Sequence, residues 1–188
     1  MRCQSVCAAL LIAVSVLLAV SPASADVAEL RPGQWTGGAG VGFLGNTPDG
    51  TEFAFKGNAD YFLTQNLSVG PLAQYAGAGN DFLFGLTAQA KYWWTIPNTK
   101  NMAKLVFQGG IGFVRAGIRD LDSGTANTYS SFLIPLGVGL DYTISKQVAL
   151  TADFLLNFTS LGETVRAGGR EFDLHTNVMP GLYFGFRF

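Results

Sequence analysis

Cysteine is almost missing from the chain: its two copies, Cys3 and Cys7, both lie among the first seven residues. The remainder therefore has neither a disulfide framework nor a thiolate metal site. Histidine occurs once, at His175, so imidazole clusters are excluded as well. Charge is scarce, at 13% of residues, and 12 basic side chains nearly cancel 13 acidic ones. Such a balance offers no electrostatic footprint for nucleic acid. Beyond the N-terminal segment no run of about 18 apolar residues exists, and helical periodicity is lacking, so no spanning helix is encoded there. EF-hand loops, glycine-rich phosphate loops and nucleophile elbows are missing too. Disorder is excluded from the opposite direction, because 48% of residues are hydrophobic and the net charge is only −1.

What is present begins with an address. Arg2 is followed by an apolar run from Ala8 to Val20, broken only by Ser15, and then by Ser21-Pro22-Ala23-Ser24-Ala25. A positive start, an apolar stretch and a small-x-small ending predict a secretory signal peptide over residues 1–25. Neither cysteine ends the apolar run, where a lipid-anchored precursor would place its acylated residue. A single domain is expected over residues 26–188.

From there the side chains alternate with period two, as in β-strands. The clearest segment is Thr128 to Tyr142, where Phe132, Ile134, Leu136, Val138, Leu140 and Tyr142 share one face and Ser131, Gly137, Gly139 and Asp141 the other. Similar segments run from Trp35 to Phe43, Glu52 to Tyr61, Leu67 to Tyr75, Phe82 to Tyr92, Lys104 to Phe113, Gln147 to Phe158 and Glu171 to Phe188. Eight is an even number, and each segment suits the roughly 9–11 tilted residues of a membrane strand. The expected fold is all-β: an eight-stranded antiparallel up-and-down transmembrane β-barrel.

Charge decides which face looks out. Over these segments no charged residue falls on the apolar face, whereas Glu52, Lys56, Asp60, Lys91, Lys104, Asp141, Asp153, Glu171, Asp173 and Arg187 fall on the other. A Lys or Arg facing lipid at the midplane costs about 2–4 kcal/mol. The apolar face is therefore expected outside, and Lys56, Asp60, Lys91, Asp141, Asp153, Asp173, His175 and Arg187 are expected to form a polar network inside. Trp35, Tyr61, Tyr92, Trp94 and Tyr142 fall at strand ends on one side, together with Phe62, Trp93 and Phe188, and read as an interfacial aromatic girdle. Short turns at 64–66, 95–101 and 143–146 share that side. The connections at 44–51, 77–81, 116–127 and 159–170 are mostly longer and are expected outside the cell. Pro71, Pro135 and Pro180 interrupt strands, where a bulge would shift parity.

The tail Gly181-Leu182-Tyr183-Phe184-Gly185-Phe186-Arg187-Phe188 resembles the C-terminal assembly signal of bacterial outer-membrane barrels, and the chain after its signal resembles the OmpA transmembrane domain and OmpX group. The resemblance implies an outer-membrane location in a Gram-negative cell. It also implies recognition of Phe184, Phe186 and Phe188 by the barrel-assembly machinery, and outer-membrane lipid and lipopolysaccharide as surroundings.

Enzymatic chemistry finds little support. Lipid A deacylases use small barrels, but their resemblance would require His-x-Ser; here residue 177 is Asn, and Thr176 points away from His175. No cofactor or metal is expected. Three readings remain in order: an anchored scaffold presenting loops to an unidentified extracellular ligand, a narrow pore for small ions or solutes, and a lipid A-modifying enzyme.

Overall fold

The alternation closes into a barrel. The computed structural model describes residues 30–47, 50–77, 81–119, 126–161, 164–167, 170–173 and 178–188; the expected signal peptide and His175 lie outside them. Among the described residues ten strands occur: β1 (Trp35–Thr47), β2 (Gly50–Phe62), β3 (Leu67–Ala76), β4 (Asp81–Thr95), β5 (Ala103–Arg119), β6 (Ala126–Thr143), β7 (Ala149–Thr159), β8 (Thr164–Ala167), β9 (Arg170–Asp173) and β10 (Val178–Arg187). Eight of them close in the order β1-β10-β7-β6-β5-β4-β3-β2, each antiparallel to its neighbours. Closure pairs every barrel strand on both sides and leaves the barrel no edge. β8 and β9 pair only with each other.

That small hairpin corrects one expectation. The last barrel strand starts at Val178 instead of near Glu171, and Asp173 sits on β9, apart from the barrel sheet. Alternation through residues 171–173 is real, but a strand period does not say which partner the strand takes.

Several strands also outrun their apolar pattern. β1 and β2 reach Thr47 and Gly50, and β5 and β6 stay paired out to Arg119 and Ala126. The connections expected at 44–51 and 116–127 are correspondingly shorter. Ladder pairing uses backbone N–H and C=O groups, so it continues through Gly, Thr and Asn after side-chain alternation fades.

The prolines do not shift the parity. Pro71 pairs with Ala88 on β4 while two pairs drop out on the β2 side, yet Asn58↔Leu72 and Tyr61↔Val69 keep one register. Pro135 pairs with Asn157 on β7 and drops out on the β5 side; Pro180 pairs with Leu156, and pairing with β1 starts one residue later, at Gly181. A backbone N–H points toward one neighbour only, so a strand proline loses one ladder and keeps the other. The one irregularity among the barrel ladders lies between Leu44 and Thr47.

The turns on the short side are held locally. In the β2–β3 turn Leu63 and Thr64 donate backbone N–H bonds to the Leu67 carbonyl, and the Asn66 side-chain amide donates to the Trp93 carbonyl at 2.6 Å. In the β6–β7 turn Ile144 and Ser145 donate to the Val148 carbonyl at 3.0 Å, and Val148 N–H donates to Ser145 Oγ. Asn98, Lys100 and Asn101 take left-handed φ in the β4–β5 turn, a region asparagine tolerates well.

Strands approach closely where the inward face has glycine. A Cβ on Gly112 would stand 2.0 Å from the Leu86 carbonyl oxygen and 2.6 Å from Thr87 Cα. Backbone cannot yield as a side-chain tip can. Gly112→Ala is therefore expected to cost about 1–3 kcal/mol, the usual overpacking range. Urea unfolding of the micelle-bound barrel measures this, and an unchanged midpoint would contradict the close approach.

Candidate functional site

Inward positions of the barrel strands build three layers along the lumen. At the short-turn end Phe62 and Trp93 are 0% and 3% exposed and lie 5.3 Å apart, centroid to centroid, joined by Val106 and Leu30. Their floor is the segment before β1: Gly33 N–H donates to the Phe62 carbonyl and Phe62 N–H to the Gln34 carbonyl. Trp93 Nε1–H donates to Ser68 Oγ at 2.9 Å, which satisfies the indole's polar edge in an otherwise apolar place. Phe62 and Trp93 thus leave the expected girdle. Within Tyr92-Trp93-Trp94 only alternate rings can face outward.

The middle layer is ionic. Lys56 on β2 pairs with Asp153 on β7. Lys91 Nζ on β4 lies 2.9 Å from Asp60 Oδ2 on β2. Arg187 on β10 makes a two-pronged contact to Asp141 on β6, Nε to Oδ2 at 2.7 Å and Nη2 to Oδ1 at 3.0 Å. Three cations therefore meet three carboxylates. Amides occupy the remaining lone pairs: Asn58 and Gln89 donate to Asp60, and Gln108 donates to Asp153. The Arg187 guanidinium also stands 5.5 Å over the Trp93 ring, and Lys91 Nζ 5.8 Å from it, so the ionic layer rests on the aromatic floor. A void of about 20 Å³ remains among these charges, room for about one water.

Above the charges, Gln74 on β3 reaches across the lumen, donating from Nε2 to Asn157 Oδ1 at 2.9 Å and accepting at Oε1 from Tyr183 Oη at 3.0 Å. Asn157 donates onward to the Met179 carbonyl. The third layer, toward the longer connections, is apolar: Leu44, Leu72, Leu83, Val114, Leu133, Leu155 and Met179 form one buried cluster with Tyr183. These residues share strand parity with the charges, so the inner face is not polar throughout.

Six of the eight residues expected in the network are brought together: Lys56, Asp60, Lys91, Asp141, Asp153 and Arg187. Asp173 belongs to the hairpin, and His175 lies outside the described residues. Sequence reasoning passed over Asn58, Gln74, Gln89, Gln108, Asn157 and Tyr183 as members of the network. The usable signal was parity, since each alternates in step with a charged residue of its own or a neighbouring strand.

Outside, the apolar face is intact. Trp35 is 63% exposed and its ring lies 5.2 Å from Tyr61; Tyr92, Trp94, Tyr142 and Phe188 are exposed at the same end. Phe43, Phe53 and Phe55 form an edge-to-face ladder at the other end, with centroids 5.8 and 5.0 Å apart. Phe184 and Phe186 also point outward, and Phe188 exchanges two backbone hydrogen bonds with Gly37 at the barrel closure.

Neither a protein-family model nor a curated protein matches the sequence. Solved structures do match its fold. Neisserial surface protein A is 17% identical, with 81% of this chain and 94% of that chain covered at a TM-score of 0.60. The N-terminal β-barrel domain of Pseudomonas aeruginosa OprF is 15% identical, with 85% and 100% covered and a TM-score of 0.54. The attachment invasion locus protein Ail of Yersinia pestis, in complex with the heparin analogue sucrose octasulfate, is 13% identical, with 84% and 100% covered and a TM-score of 0.51. The fold is that of small eight-stranded outer-membrane β-barrels.

Proposed function

We propose that the chain is an outer-membrane barrel acting as a closed, anchored scaffold that presents its longer connections outside the cell to a ligand. The observation that carries this reading is the filled lumen. Three ion pairs and their amides leave a void of about 20 Å³ among them, and an apolar layer covers the charges on one side and an aromatic floor on the other. An eight-stranded barrel is just wide enough for side chains to fill it. Conduction would require these pairs to part and the apolar layer to open. In the same reading the final strand, with Phe184, Phe186 and Phe188 outward, is what the barrel-assembly machinery takes up.

Planar-bilayer recording separates scaffold from pore. The purified barrel is expected to insert without stable conductance, and Lys91→Ala, which leaves both apolar layers in place, is expected to stay silent. A steady single-channel current that Lys91→Ala alters would establish the pore instead.

A further inference from the structure

Arg115 is a charged side chain at an outward position of a barrel strand, β5. It is exposed, paired in register with Phe84 on one side and Ser130 on the other, while Val114 and Ala116 beside it are buried. Phe113 and Ile111 precede it on the same face at alternate positions, so Arg115 ends an outward apolar row about 7 Å beyond Phe113.

Directly along that row the outer surface is hollowed. Ala90 on β4 pairs with Gly109 on β5, and with Ala88 two residues along β4 they make a low floor. Pro71 stands opposite Ala88 on one side and Ile111 opposite it on the other, and Ile111 is 67% exposed, a proud wall beside a low floor. The groove measures about 940 Å³, and its outward lining offers no charged group.

We propose that Arg115 and this groove form a binding site for one phosphate-bearing lipid of the outer leaflet. The guanidinium takes the phosphate in a charge-assisted contact, for which its planar fork of donors is suited. An acyl chain runs down past Phe113 and lies between Pro71 and Ile111 on the Ala88, Ala90 and Gly109 floor. Charge argues for this occupant over a second copy of the chain: a cation at the edge of an apolar band repels its own image unless an anion lies between. A phosphate headgroup supplies that anion, and its chain supplies the matching apolar surface. The inference rests on the barrel spanning a bilayer with its longer connections outside.

Native mass spectrometry of the micelle-purified protein tests it, with diphosphoryl lipid A, the same lipid A dephosphorylated, and inorganic phosphate as probes. One diphosphoryl lipid A is expected to stay bound. Arg115→Gln is expected to lower the retained fraction about tenfold, the scale of a lost hydrogen bond to a charged group, and Arg115→Lys to restore part of it. Ala88→Leu with Ala90→Leu, which fills the groove, is expected to lower it comparably. Removing the phosphates from lipid A should mimic Arg115→Gln, and inorganic phosphate should not displace the lipid. Heat-modifiable migration on gels verifies that every variant is folded, and a chain that never shows it would defeat the membrane reading itself. With folded barrels, retention unchanged by either variant, lost in only one of them, indifferent to the phosphates or abolished by free phosphate overturns the site. So does a dimer that the groove variant dissolves without any lipid being held.

Discussion

Asp60→Ala is expected to destabilise the barrel by about 3–5 kcal/mol, the range for removing one partner of a buried ion pair. Asp60 is 0% exposed and receives Lys91 Nζ at 2.9 Å, Asn58 Nδ2 at 2.6 Å and Gln89 Nε2 at 3.4 Å. Its loss strands an ammonium and two amides between an aromatic floor and an apolar cap, where water for solvation is confined to a small void. The cost thus comes from the unpaired groups left behind more than from the vanished attraction. The double variant Asp60→Ala with Lys91→Met discriminates between these sources. Taking away the cation as well should recover most of the loss, since a buried pair replaced by apolar groups is often near neutral. Urea unfolding in vesicles, read as a midpoint for single and double variants, measures both. Equal destabilisation in the two would mean that the network's value lies elsewhere.

On the outer face the expectation is opposite in kind. Phe154 lies midway along β7 and is 43% exposed. Were that exposure to water, Phe154→Arg would change stability by no more than about 0.5 kcal/mol, as surface substitutions usually do. Against hydrocarbon the same change costs about 2–4 kcal/mol at the midplane and less toward the interfaces. The account predicts the larger loss for unfolding from lipid vesicles. Phe158→Arg, four residues nearer the longer connections, should lose less than Phe154→Arg. Equal and negligible losses at both positions would remove lipid from the picture.

Most of the barrel was legible because one rule, alternation, fixes both strand and face. Phe132 through Tyr142 show it without a break, and each of these even-numbered residues points outward or partly so. What alternation does not encode is pairing. Residues 171–173 alternate as well as any segment, yet they pair with residues 164–166. Alternation understates strand ends for the complementary reason: Gly117↔Thr128 and Arg119↔Ala126 pair through backbone atoms that carry no hydrophobic signal. That extension is what brings Arg115 onto the outer face. Three prolines suggested bulges and produced none, because each gives up one ladder and keeps the other. Inside, the charges were readable from their shared parity, whereas their matching was not. Lys56 finds Asp153 rather than Asp60, four residues away on its own strand, because the lumen joins side chains across strands that sequence separates by 97 residues. The apolar upper layer escaped notice for a plainer reason. Leu44, Leu72, Leu133 and Leu155 look like lipid-facing residues by type and are inward only by parity.

Single cysteines carrying a nitroxide label offer the most direct test, since the only native cysteines are Cys3 and Cys7, within the expected signal peptide. Labels replacing Leu136 and Phe184 should collide readily with oxygen dissolved in the bilayer and scarcely with a water-soluble nickel chelate. Labels replacing Gln108 and Asn157 should meet little of either. Free access of the chelate to Leu136 and Phe184 would mean that the apolar face lies in water, and the account would be contradicted.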